Sequence, residues 1–134
     1  MRSTNIFLLG FLCITFASAP LSAQENAVSL SSTVPDSARY EVVQSPLLAK
    51  LTFRLDRFTG ETWQFVTKKK GGYAWQRVER LELSNDSKVA GRVNYQMFLS
   101  GIRAQTTVLI NTNTGASWYI AEDPKEGVFW SPME

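Results

Sequence analysis

The stretch Leu51-Thr52-Phe53-Arg54-Leu55-Asp56-Arg57-Phe58-Thr59-Gly60-Glu61-Thr62-Trp63-Gln64-Phe65 decides the fold. Leu51, Phe53 and Leu55 alternate with Thr52, Arg54 and Asp56, and after a short break Trp63 and Phe65 alternate with Thr62 and Gln64. An alternation of period two puts one set of side chains on each face of an extended strand. The break, Asp56 to Gly60, is a turn. A carboxylate at its start can accept the backbone N–H groups just ahead, and a glycine at its end can take the left-handed conformation that closes a type I turn with a bulge. The segment is therefore a β-hairpin, with Trp63 and Phe65 expected on its core face.

Outward from this hairpin, the pattern recurs. A shift of 55 residues lays Tyr40 on Tyr95, Thr59-Gly60 on Thr114-Gly115, Trp63 on Trp118, Gly72 on Gly127 and Trp75 on Trp130 without a gap. All four tryptophans are in register, and apolar positions follow them: Phe53 with Val108, Leu55 with Ile110, Phe65 with Ile120. Paired tryptophans and glycines at a single offset mark a duplicated unit. Each unit reads as a four-strand meander, with strands near 39–44, 50–56, 61–67 and 73–78, then 93–99, 104–111, 116–121 and 127–131. Lys68 to Gly72 is a further tight turn, and residues 79–92 join the units. The fold class is all-β: one β domain over 39–134, made of repeat units 39–78 and 93–134 that form a small barrel or a two-sheet sandwich.

Residues 1–23 have the pattern of a cleavable signal peptide: Arg2, an apolar run from Ile6 to Phe16, and small residues ending at Ala23. The run is shorter than the ~20 residues of a spanning helix, and no transmembrane segment is expected after cleavage. Residues 24–38, rich in Ser, Thr and Ala, read as a flexible leader. Export implies a periplasmic or secreted location. The single cysteine, Cys13, falls inside the signal, so the exported domain is expected to hold itself by packing alone despite an oxidising destination. There is no histidine, which excludes histidine-based triads and zinc sites. A net charge of +2 gives no electrostatic reason for a nucleic-acid partner. No cofactor is expected.

The nine residues Leu55 to Trp63 resemble a pattern, L-D-T-x-T-G-x-x-W, of small uncharacterised bacterial exported proteins. The second copy, Ile110 to Trp118, departs from it with Asn111 in place of Asp. The resemblance implies a bacterial origin and a hairpin, and it brings no catalytic residue.

Several groups are candidates for chemistry. Asp56 and Glu61 flank the first turn, as an acid/base pair or as a turn cap beside a solvated glutamate. Glu122, Asp123 and Glu126 offer oxygen ligands to a hard cation, or form an exposed turn without one. Lys68, Lys69 and Lys70 ahead of Gly71-Gly72 suit an anionic partner, or serve as a soluble hairpin tip. The matching segment of the second unit, Asp123-Pro124-Lys125-Glu126, is acidic instead. Trp63 and Trp118 are expected in the core. Trp75 and Trp130, near strand ends, fit packing and binding equally, and Tyr119, on the face opposite Trp118, is a candidate for exposure. The candidate binding residues are thus Lys68, Lys69, Lys70, Tyr73, Trp75, Tyr119 and Trp130, with no catalytic or metal-binding residue. The leading functional class is a non-catalytic envelope or secreted binding or inhibitor-like module, its partner an envelope protein or a glycan. Two alternatives stand beside it: an accessory or structural protein assembling through strand edges, and a carboxylate-based hydrolase.

Overall fold

Asp56 organises the first turn. Its Oδ1 accepts the backbone N–H of Phe58 at 2.9 Å and of Thr59 at 3.3 Å, while Gly60, at φ +75°, donates its N–H to the Asp56 carbonyl. The second turn repeats each bond. Asn111 Oδ1 accepts from Asn113 and Thr114, and Gly115, at φ +78°, donates to the Asn111 carbonyl. An amide oxygen accepts these N–H groups as a carboxylate does, which is why Asn can stand where the first copy has Asp.

The computed structural model describes residues 34–100, 102–103 and 106–134, and these fold into eight strands without a helix. They are β1 (Tyr40–Gln44), β2 (Thr52–Asp56), β3 (Thr62–Thr67), β4 (Tyr73–Arg80), β5 (Tyr95–Phe98), β6 (Val108–Asn111), β7 (Ser117–Asp123) and β8 (Gly127–Pro132). The expected signal, 1–23, and the leader as far as residue 33 lie outside the described residues. The rest of the leader is held in place: Arg57 Nη1 donates to the carbonyls of Pro35, Asp36 and Ala38. Strand β4 runs on to Arg80, and β6 starts only at Val108, four residues later than the alternation places it.

The strands form one sheet in the order β1-β2-β3-β4-β8-β7-β6-β5, curled into a nearly closed barrel. Every neighbouring pair is antiparallel except β4 and β8, which run parallel. Near closure is made where the chain leaves β2. The Arg57 carbonyl accepts the N–H of both Asn94 and Tyr95 at the head of β5, while the Arg57 N–H bonds the Arg39 carbonyl before β1.

The parallel contact has a consequence for every side chain. Glu79 lies opposite Phe129 and Arg80 opposite Trp130, an offset of 50 residues, five short of the 55-residue repeat. Strand faces alternate residue by residue, so an odd mismatch turns repeat-equivalent residues within the strands to opposite faces, the turn caps Asp56 and Asn111, both buried at their strand ends, being the exception. Tyr95 is 0% exposed and its counterpart Tyr40 is 49% exposed. Ile120 is 6% exposed and Phe65 38%. In the other direction, Val43 is 3% exposed and Phe98 61%. The interior is accordingly filled by Val43, Phe53, Leu55 and Val78 from the first half and by Tyr95, Met97, Leu109, Trp118, Ile120 and Trp130 from the second. The expectation that Trp63 and Trp118 share the core is corrected: Trp118 is fully buried, whereas Trp63 lies on the outer face.

The linker between the halves is fastened across one end of the barrel. Trp118 Nε1 donates to the Leu81 carbonyl at 2.7 Å. Arg80 enters the interior end, its guanidinium 5.0 Å from the Tyr95 ring centre and 4.6 Å from that of Trp118, and meets Asp86 at 3.1 Å. Asp86 also accepts the Tyr95 hydroxyl at 2.6 Å and an Asn111 amide hydrogen at 2.8 Å. Asn94 then gathers the chain behind it, donating to the carbonyls of Phe58, Val89 and Arg92.

Candidate functional site

On the outside of β2, β3 and β4 the first half displays the positions whose 55-residue counterparts the second half buries. Arg54 stands where the second half has Leu109, Trp63 where it has Trp118, Phe65 where it has Ile120 and Trp75 where it has Trp130. Cross-strand register sets these side by side: Arg54 opposite Trp63, and Phe65 opposite Trp75. The Arg54 guanidinium lies 4.2 Å from the Trp63 ring centre and 5.3 Å from that of Trp75, so it is held by both indoles. Phe65 meets Trp75 edge-on at 5.4 Å and stacks on Tyr73 at 4.9 Å. The result is a continuous ladder of Trp63, Arg54, Trp75, Phe65 and Tyr73 across three strands. Tyr73 at its end is 65% exposed.

Next to the ladder, residues Lys68–Lys70 form the exposed tip between β3 and β4. Lys68 N–H bonds the Gly72 carbonyl, and Gly71 and Gly72 both take positive φ. The structure therefore brings Lys68, Lys69, Lys70, Tyr73 and Trp75 to one region. Alongside lies an open depression of about 640 Å³, lined by Val42, Gln44, Thr52, Gln64, Phe65 and Trp75 among others, with Lys50 the one charged wall among the described residues. Arg54 makes no ion pair among the described residues, and its buried Nε has no hydrogen-bond partner.

Two of the candidate residues fall elsewhere. Trp130 is fully buried, its indole N–H donating to Thr62 Oγ1 at 2.7 Å inside the barrel, so it presents nothing to a ligand. Face inversion explains the split between it and Trp75. Tyr119 is exposed, but it points outward from β7, between Val108 and Ser131, on the other half of the sheet. Arg54, Trp63 and Phe65 were not among the candidates. A sign of them was available: Arg54 is a charged residue matched to a leucine, which breaks the otherwise apolar correspondence of the two copies.

The carboxylates are placed for structure. Asp56 Oδ2 accepts two bonds from Arg39, at 2.8 and 3.0 Å, while Oδ1 caps the turn. Burial pushes its carboxyl up, but the Arg39 hydrogen bonds, the N–H groups of Phe58 and Thr59 and the Arg39 charge together hold it below the usual range. Glu61 pairs with Arg77 at 3.0 Å. Asp123 Oδ1 accepts the N–H groups of Glu126 and Lys125, which lower its pKa. A second, polar depression of about 600 Å³ by the linker holds Glu61, Glu79, Glu82 and Asp86. Asp86 there already receives Tyr95, Asn111 and Arg80, which leaves little of it to act as acid or base. Among the described residues no three acidic groups converge as metal ligands.

No family model matches this chain, and no curated protein or solved structure is significantly similar to it.

Proposed function

We propose that this is a non-catalytic recognition module, exported to the periplasm or beyond, that binds a component of the bacterial envelope through the outer face of β2–β4. The observation that carries the reading is the outward ladder of Trp63, Arg54, Trp75, Phe65 and Tyr73, a face built of core-type side chains that the barrel does not cover. Large aromatic side chains bring much contact area for little conformational entropy, and with arginine they dominate binding energies at recognition surfaces. Catalysis has weaker support, because three of the acids best placed for it are bound up in Arg39, Arg77 and Arg80.

Fluorescence tests the reading. Trp118 and Trp130 are sealed in the core, so a ligand on this face changes emission through Trp63 and Trp75. Envelope saccharide, lipid and protein fractions titrated into the domain are expected to include one that shifts the emission, with the shift lost in Trp63→Phe/Trp75→Phe. No shift from any fraction, or a shift that survives the double substitution, would contradict it.

A second reading, assembly through strand edges, draws on β5. This edge strand carries Phe98, and the segment after it carries Ile102 at 88% exposure. Light scattering over a wide concentration range separates the two, since edge assembly requires a dimer that Phe98→Lys disrupts.

A further inference from the structure

We infer that the ligand of this face is an acidic polysaccharide, with Arg54 receiving its anionic groups; this rests on the recognition reading above and narrows it to one chemical class. The shape argues for a chain of sugar rings. The aromatic groups are spread over three strands as a surface, with ring centres 4.9 and 5.4 Å apart from Tyr73 through Phe65 to Trp75. Tyr73 stacked on Phe65 and Phe65 set edge-on to Trp75 make a shallow aromatic ridge whose outer ring surface, Tyr73 above all at 65% exposure, suits the C–H faces of pyranose units, whereas a peptide anchor asks for a deep pocket under one side chain. The depression of about 640 Å³ beside them is open, and its walls carry Gln44, Gln64, Thr52 and Thr67. Amides and hydroxyls of this kind exchange hydrogen bonds with sugar hydroxyls in both directions.

The charge argues for acid groups on those rings. Arg54 is a cation held against two indoles, with no carboxylate partner among the described residues. A planar guanidinium held in this way is pre-organised for a carboxylate or sulfate oxygen pair. Among the described residues no acidic side chain lines the depression; Lys50 does, in a loose exposed pair with Glu122 at 3.8 Å, and the exposed Lys68–Lys70 tip continues the positive charge past Tyr73. The equivalent tip of the other half, Asp123-Pro124-Lys125-Glu126, is acidic on balance, so the lysine cluster has no counterpart at that tip.

The test is a titration of the domain followed by isothermal titration calorimetry, which reads the tryptophan variants as well as the parent, with four acidic oligosaccharide probes: oligogalacturonate, alginate oligomers, chondroitin sulfate and sulfated dextran. Galactan oligomers and plain dextran serve as neutral matches, and poly-glutamate as an acidic peptide control. At least one acidic probe is expected to bind tenfold or more tightly than its neutral match and than poly-glutamate. Arg54→Gln should remove that preference, Trp63→Ala/Trp75→Ala should abolish binding, and melting curves confirm that both variants fold. Neutral and acidic probes binding alike, or none of the four binding while an envelope fraction still shifts the emission, would overturn the ligand class and leave the face reading standing. Poly-glutamate binding as tightly as the sugars would transfer the face to an acidic protein. Binding lost in Lys68→Ser/Lys69→Ser/Lys70→Ser but unchanged in Arg54→Gln would reduce it to diffuse charge attraction and overturn the assignment. Binding that survives loss of both tryptophans would remove the face reading as well.

Discussion

Gly60 and Gly115 close equivalent turns at nearly equal φ, +75° and +78°, yet their surroundings differ. A Cβ on Gly60 would come within 2.4 Å of Arg80 Nη1 and 2.7 Å of the Tyr95 ring, whereas a Cβ on Gly115 meets open space. Strain at positive φ alone is of order 1–3 kcal/mol for a non-glycine residue. Gly115→Ala is expected to lose about that much. Gly60→Ala should lose more, because the added methyl displaces the Arg80–Tyr95 stack, and Gly60→Val should lose more again. Equal losses at the two glycines in a denaturant titration would contradict the packing described here. The positive φ could be read from the Thr-Gly spacing. The crowding could not, because Arg80 and Tyr95 reach Gly60 only through the closure of the barrel.

Tyr95 extends the residue-scale argument to pH. Burial, with the hydrogen bond to Asp86, raises its phenol from 10.0 to about 12. Above pH 10 the unfolded chain gives up this proton while the folded chain keeps it. The unfolded state then binds fewer protons, so stability falls as pH rises toward about 12. Asp56 acts at the other end, since its lowered pKa makes stability fall as pH drops below the ordinary carboxylate value of 3.8. In Tyr95→Phe the alkaline loss should shrink, at the expense of about 1–3 kcal/mol at neutral pH, because Asp86 loses a buried donor. An alkaline unfolding profile identical to that of the parent would show that another group is responsible.

At the scale of elements, alternation and turn chemistry in the sequence were enough to place the strands. The boundaries agree to within two residues over most of the sheet, because Asp56, Gly60, Gly72 and their counterparts dictate the turns locally. Which face of each strand turns inward was not legible. It depends on β4 meeting β8 in parallel at an offset of 50, a long-range register that no local pattern encodes. In β2 the apolar face, Phe53 and Leu55 with Leu51 just ahead, does turn inward, but in β3 the more apolar face, Trp63 and Phe65, turns outward and the face bearing Thr62, Gln64 and Val66 turns in. The inversion gives equivalent tryptophans unequal roles. Trp118→Ala should lose about 3–5 kcal/mol, the range for emptying an aromatic core site. Trp63→Ala, which removes an outer ring stacked on Arg54, should lose about 1 kcal/mol, as a cation–π contact does. Urea midpoints check the pair, and comparable losses would place both rings in one environment.

For the whole molecule, the inversion links fold to function. Two halves whose sequences align at a shift of 55 residues close a single barrel by turning opposite faces to the inside. The first copy is then left displaying the positions that its partner buries, filled here by Trp63, Phe65, Trp75 and an arginine. The candidate site was half legible for the same reason. Lys68–Lys70, Tyr73 and Trp75 could be singled out as a hairpin tip and its flank, while Trp63 and Phe65 looked like core, and Arg54 like an ordinary polar-face residue, until the register was known. The most direct test is acrylamide quenching of four variants that each keep one tryptophan, the other three replaced by phenylalanine. Trp63 and Trp75 should be quenched readily, and Trp118 and Trp130 should be shielded while the domain is folded. Matched quenching within the repeat pairs, Trp63 like Trp118 and Trp75 like Trp130, would mean that equivalent residues share a face, and the outward aromatic surface would not exist.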